Sequence, residues 1–97
     1  MAELLADQEI DERLATLGDW HRDGAAIVRD VECKDFAAAI AAVNAVAILA
    51  EEANHHPDIL VHGWNKLRFT VTNHSAGGLT QADFDLAAAI DGLPGVG

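Results

Sequence analysis

EEANHHPDILVHGWNKLRFTV, residues 51–71, decides how the rest of the chain is read. Pro57 cannot continue a helix, and it holds the residue before it in extended conformations, so a helix arriving from the N-terminal side must end near His55. Beyond the proline, Asp58–His62 and Lys66–Thr72 run apolar or alternate about a turn at Gly63–Asn65. That pattern is a β-hairpin, with Leu67, Phe69 and Val71 on the core side.

Upstream, Asp35 is placed to cap a helix from Phe36 to about Ala53. Phe36, Ala39, Ile40, Val43, Val46, Ala47 and Ala50 form one broad apolar face of it. A second stripe through Ala38, Ala41, Ala42, Ala45, Ile48 and Leu49 leaves little of the circumference polar. A helix apolar nearly all round must be covered on more than one side, and another chain is the natural cover. Trp20–Arg22, the turn at Asp23-Gly24 and Ala25–Val31 predict an earlier hairpin. Before it, Ile10, Leu14 and Leu17 recur at helical spacing from an Asp7 cap to a stop at Gly18. Thr80 caps a last helix, Gln81–Asp91, carrying Phe84, Leu86, Ala88 and Ile90, and the GLPGVG tail is expected to fray. The order α-ββ-α-ββ-α, without repeats or linkers, predicts a single domain over residues 1–97. Its class is α+β, a two-layer fold in which helices pack on one face of a four-stranded antiparallel sheet.

Composition narrows the partners. Six basic against sixteen acidic residues give a formal charge of -10, which repels phosphate backbones and anionic lipid, so neither direct nucleic-acid binding nor a membrane surface is expected. Cys33 has no second cysteine to pair with, and MAELLADQEI lacks the basic start and long apolar run of a signal peptide. A reducing cytoplasm is the expected compartment. Phe36–Ala50, the most apolar stretch, contains Asn44 and is shorter than a bilayer requires.

Five histidines are many for so short a chain. His55 at a helix C-terminus meets partial negative charge, and Glu51 at i,i+4 is placed to accept a hydrogen bond from it. Both favour an imidazole that holds and donates a proton near neutrality. Antiparallel pairing about the Gly63–Asn65 turn sets His74 opposite residues 53–55. His55, His56 and His74, with Glu51 below, are therefore expected at one sheet edge, while His62 lies at the far end of the hairpin. Plainer roles stand beside these: a histidine pair can satisfy terminal carbonyls, Asp83 occupies the N3 position of a capping box begun by Thr80, and Trp64 is either an exposed hairpin aromatic or a stacking surface for a flat ligand.

Glu51-x-x-x-His55-His56-Pro57, followed by Trp64, His74 and Asp83 at these intervals, resembles the signature of the pterin-4a-carbinolamine dehydratase family. The resemblance runs through residues 33–91, including the KDF that opens the long helix and the GGLT-x-x-D that opens the last. It departs at Ala82, where some relatives carry a basic side chain. The family fold resembles the one deduced above, assembled into homodimers or homotetramers. The resemblance implies dehydration of a 4a-hydroxytetrahydropterin to quinonoid dihydropterin and water, with no metal or redox cofactor. It points to His55 and His74 for proton transfer, His56 for orienting the pterin, and Glu51, Pro57, Trp64 and Asp83 as substrate-side positions. Two other readings remain: a zinc site built from the three histidines, although adjacent histidines rarely aim at one ion, and a protein-binding or transcriptional cofactor module without turnover.

Overall fold

The computed structural model describes residues 3–96. Helix α1 (Asp7–Leu17) leads into strands β1 (His21–Asp23) and β2 (Ala26–Glu32), helix α2 (Phe36–Ala53), strands β3 (Asp58–His62) and β4 (Lys66–Val71), and helix α3 (Gln81–Asp91). The strands form one antiparallel sheet in the order β1-β2-β4-β3, leaving β3 and the three-residue β1 as its edges. The expected α+β order and two-layer packing are those observed.

The core lies between the sheet and the helices. Ile27, Leu67, Phe69 and Val71 are fully buried from the strands, and Ala39, Val46, Ala87 and Ile90 meet them from α2 and α3. One expectation about α2 is corrected here. The buried face runs through Ala39, Ala42, Val46 and Ala50, whereas Phe36 and Ile40, assigned by spacing to the core, are 54% and 36% exposed. Small side chains let the helix lie close to α3 above the sheet, which turns the bulkier residues outward. From the second stripe, Ala42 is buried and Ala38 and Leu49 pack against the core, but Ala41 and Ile48 stay exposed. By length and hydropathy alone α2 could cross a membrane; with one face seated on a sheet, it is the central helix of this domain.

Smaller corrections concern the ends of elements. Asp7 is the first residue of α1 rather than its cap; Ala6 takes the cap position, its N–H donating to Glu9 Oε1 at 2.9 Å, and Asp7 pairs with Arg22 at 2.9 Å. On α3 the buried alanine is Ala87, not Ala88. The tail is not frayed as far as Val96. That residue is 4% exposed, and its carbonyl accepts from Nη2 of the buried Arg29 at 2.6 Å. Arg29 also pairs with Asp91, which accepts a second bond, 2.9 Å, from Trp20 Nε1.

Candidate active site

Three elements deliver the histidines. Asn54 ends α2 in the left-handed conformation, φ 49°, which asparagine tolerates better than other side-chain-bearing residues. That turn lets the His55 N–H reach back to the Ala50 carbonyl at 3.0 Å, fixing the backbone of His55 to the helix end. Pro57 then directs the chain into β3. On the far side of the sheet edge, the loop after β4 folds on itself: the Asn73 carboxamide accepts from the Ala76 N–H at 3.1 Å, and Asn73 and Gly78 exchange backbone hydrogen bonds. His74 stands on this loop.

The result is a cleft of about 200 Å³ lined by Asn54, His55, His56, Thr72, Asn73, His74 and Ser75. The convergence expected from the hairpin register is present, because β3 and β4 pair His62 with Lys66 and Asp58 with Thr70, and continuing that register brings residue 74 level with residue 54. His62 lies at the other end of the hairpin, as expected.

The carboxylate partners differ from the expected ones. His55 turns away from Glu51 and places Nε2 2.6 Å from Asp83 Oδ1, while Glu51 Oε2 lies 2.6 Å from Nε2 of His56. The geometric reason is the left-handed turn at Asn54, which swings His55 off the line of the helix and toward the start of α3. Asp83 is completely buried, and its second oxygen accepts from the Thr80 N–H at 2.7 Å and the Thr80 hydroxyl at 3.2 Å. One carboxylate thus caps α3 and anchors His55. With no exposed surface it reaches a ligand only through the imidazole. Since the carboxylate accepts, Nε2 of His55 carries the proton in this pairing, and Nδ1 is the ring nitrogen left to act as a base.

The His55 side chain is 16% exposed, whereas those of His56 and Glu51 are 57% and 77% exposed. The cleft therefore offers one half-buried imidazole held by a buried carboxylate and two solvent-facing imidazoles. Pro57, next to His56 in the chain, is half-buried and is not among the residues that line the cleft. Trp64 is not in the cleft: it stands 61% exposed at the hairpin tip, separated from His56 by the whole of β3, roughly 17 Å at about 3.3 Å per residue. A larger groove of about 410 Å³ lies on the other side of His55, between α2 and α3, with Glu52, Asp85 and Ala82 among its lining residues. It presents one imidazole where the smaller cleft presents three, so the smaller cleft is the better acid-base site. Among the described residues no group of three or more His, Cys, Asp or Glu side chains is arranged to hold a metal ion.

Sequence reasoning passed over Asn54, Thr72, Asn73 and Ser75. Their signal was present but generic, since Asn, Ser and Gly clustered around a strand end indicate only a turn.

Comparison with known proteins gives consistent matches. The family model described as pterin 4 alpha carbinolamine dehydratase matches residues 3–93. Proteins provisionally named pterin-4-alpha-carbinolamine dehydratase from Roseiflexus sp. (strain RS-1) and Nocardia farcinica are each 52% identical over 91 residues, covering 94% of this chain and 97% and 95% of theirs. A crystal structure from Brucella melitensis, described as a transcriptional coactivator/pterin dehydratase, superposes with a TM-score of 0.87 at 30% identity, over 92% of this chain and 96% of that one. A pterin dehydratase-like protein described as a RuBisCO assembly factor in the alpha-carboxysome shares the fold, with a TM-score of 0.63 at 24% identity, over 80% of this chain and 89% of that one.

Proposed function

Since the chain belongs to the pterin 4 alpha carbinolamine dehydratase family, we propose that it removes water from a 4a-hydroxytetrahydropterin, giving the quinonoid dihydropterin, at the cleft of His55, His56 and His74. The observation that carries this reading is the His55–Asp83 pair at the wall of a cleft that two further imidazoles share.

The reaction needs one proton delivered to the C4a hydroxyl as its C–O bond breaks and one proton removed from N5 as the C4a=N5 double bond forms. Both transfers call for a catalytic group that gains and loses a proton near neutral pH, for which imidazole is the suitable side chain. His55, from the end of α2, and His74, from the loop after β4, serve as the two proton-transfer groups, and His56, steadied by Glu51, orients the pterin. Asp83 positions His55. The ring system is flat and hydrogen-bonding along its edge, which suits a cleft whose lining residues all carry polar side chains. Neither transfer calls for a metal or a redox cofactor.

The test is the rate of 4a-hydroxytetrahydropterin loss with purified protein. His55→Ala and His74→Ala should each slow it by an order of magnitude or more, His62→Ala should leave it unchanged, and exhaustive chelation should not reduce it. Turnover that disappears with a stoichiometric metal ion would refute this assignment.

We further propose that the chain works as a homodimer or homotetramer in the cytoplasm. Exposed Phe36, Ile40, Ala41 and Ile48 on α2 form an apolar face that a second copy would cover. The same face supports a second reading, a protein-binding module without turnover; the Brucella relative is described as a transcriptional coactivator as well as a pterin dehydratase. Folded protein without measurable dehydration would favour it.

A further inference from the structure

At about 200 Å³ the histidine cleft is smaller than the roughly 300–1,000 Å³ of pockets that bury most of a small ligand. A bicyclic ring with a substituent must extend beyond it. Two larger cavities adjoin. The groove between α2 and α3 shares only His55 with the cleft, and the acidic Glu52 and Asp85 stand in its wall. The other cavity, of about 300 Å³, shares Thr72, Asn73 and His74 with the cleft and is completed by Ala25, Ala26, Gly77 and Gly78. Those four residues carry nothing larger than a methyl group, and their frame is fixed. The Thr72 hydroxyl donates to the Ala25 carbonyl at 2.5 Å, and the Asn73 carbonyl accepts from the Gly77 and Gly78 N–H groups at 2.9 and 3.2 Å. Gly77 holds φ 80°, which glycine adopts freely, and a Cβ there would meet nothing within 4 Å. Small residues on a rigid frame keep this space open.

Apart from His74, the cavity takes no part in the proton transfers assigned above, yet the reacting edge of the substrate leads to it. In a 4a-hydroxytetrahydropterin, C4a loses the hydroxyl, N5 loses the proton, and C6 is bonded directly to N5. Whatever C6 carries therefore leaves the ring beside the proton-transfer groups. We propose that the cavity beside His74 receives the substituent at C6, and that Ala25 and Ala26, where β2 begins, limit it to a short, uncharged hydroxyalkyl chain. The polar groups of the cavity suit hydroxyls. The Thr72 oxygen, whose proton goes to Ala25, keeps lone pairs with which to accept, and the Asn73 carboxamide, whose oxygen takes the Ala76 N–H, turns an –NH2 outward as a donor. A carboxylate is unsuited. Among the described residues that line the cavity there is no lysine or arginine, and a formal charge of -10 on the chain repels anions. The acidic wall of the α2–α3 groove offers an anionic substituent no better place.

The inference rests on dehydration taking place at the histidine cleft, and it is tested with substrates that differ only at C6, one bearing a dihydroxypropyl chain and one a methyl group. Ala25→Leu fills the cavity from a residue that is exposed in the fold, so the protein should stay folded. The ratio of kcat/KM for the dihydroxypropyl compound to that for the methyl compound should fall by about tenfold or more. The loss should lie in KM, because the substituent is held alike in the ground and transition states. Ala82→Leu, which narrows the α2–α3 groove instead, should keep the wild-type ratio. The wild type should also use a compound with an aminobenzoylglutamate substituent at least about tenfold less efficiently than the dihydroxypropyl one. An unchanged ratio in Ala25→Leu, a fall in Ala82→Leu, or equal use of the acidic compound overturns the inference and leaves the dehydration standing. If the wild type dehydrates none of these compounds, the assigned reaction fails instead. Calorimetric binding of the oxidised pterins with the same substituents, which have no hydroxyl at C4a, then decides the subsite: Ala25→Leu should bind the dihydroxypropyl form selectively more weakly, and undiminished affinity overturns it.

Discussion

Asp83 concentrates two roles in one side chain, and substitutions there should separate them. Asp83→Ala leaves the Thr80 N–H without its acceptor inside the protein and His55 without its anchor, so urea denaturation should show a loss of about 1–3 kcal/mol. Asp83→Asn keeps an oxygen for Thr80 but offers His55 an amide, and it should reduce turnover far more than stability. Comparing turnover with the denaturation midpoint tests the division; equal effects on both would mean that Asp83 is only a cap. The exposed pair of Arg68 and Asp30 behaves differently. Its bonds of 2.8 and 3.0 Å hold the Asp30 carboxyl below its ordinary pKa of 3.8, chiefly through the hydrogen bond from Arg68. A carboxylate whose pKa is lowered by folding adds stability above its unfolded pKa, and that increment disappears as pH falls through the folded value. Arg68→Ala should therefore cost a little stability at neutral pH, less in high salt and nothing in strong acid, as followed by denaturation across pH.

At the scale of elements, the junction between α2 and β3 controls where His55 stands. The left-handed φ at Asn54 is what glycine accepts freely and alanine does not. Asn54→Ala should destabilise the protein by about 1 kcal/mol, and Asn54→Gly should be close to neutral. Activity should follow the same order, because the turn also aims His55 at Asp83. An active, fully stable Asn54→Ala protein would show that the turn is not what positions the histidine. The loop from Asn73 to Gly78 is the counterpart for His74, held by its own backbone and by the Asn73 side chain.

At the scale of the whole molecule, the unresolved demand is surface. A domain this small buries a limited fraction of its apolar area, and Phe36, Ile40 and Ile48 remain outside on α2 while Leu60 and Trp64 remain outside on the hairpin. Light scattering at micromolar concentration should report a dimer or tetramer. Ala41→Glu with Ile48→Glu should shift it downward if the α2 face is an interface, while leaving the fold intact, because both residues are exposed in the single chain. A wild-type protein that stays monomeric across the accessible concentration range would refute assembly through either surface.

His74 and Phe36 mark how far the sequence alone reaches. Local chemistry fixed the order of elements: proline stops a helix, alternating apolar residues form strands, and the turn at Gly63–Asn65 sets the register that carries His74 to His55. The core positions of β4, Leu67, Phe69 and Val71, were legible for the same reason, since a period of two admits only two faces. Which face of α2 turns inward was not legible, because an Ala-rich helix is apolar on nearly every side and only packing against α3 and the core selects Ala39, Ala42, Val46 and Ala50 over Phe36 and Ile40. Nor were the histidine partners. Glu51 is a neighbour of His55 along an ideal helix, but the left-handed residue between helix and strand breaks that geometry, and Asp83, 28 residues away, becomes the nearer carboxylate only when α3 folds against the end of α2. Contacts set by a continuous backbone period can be read along the chain, whereas contacts set by where two separate elements meet exist only in the folded molecule.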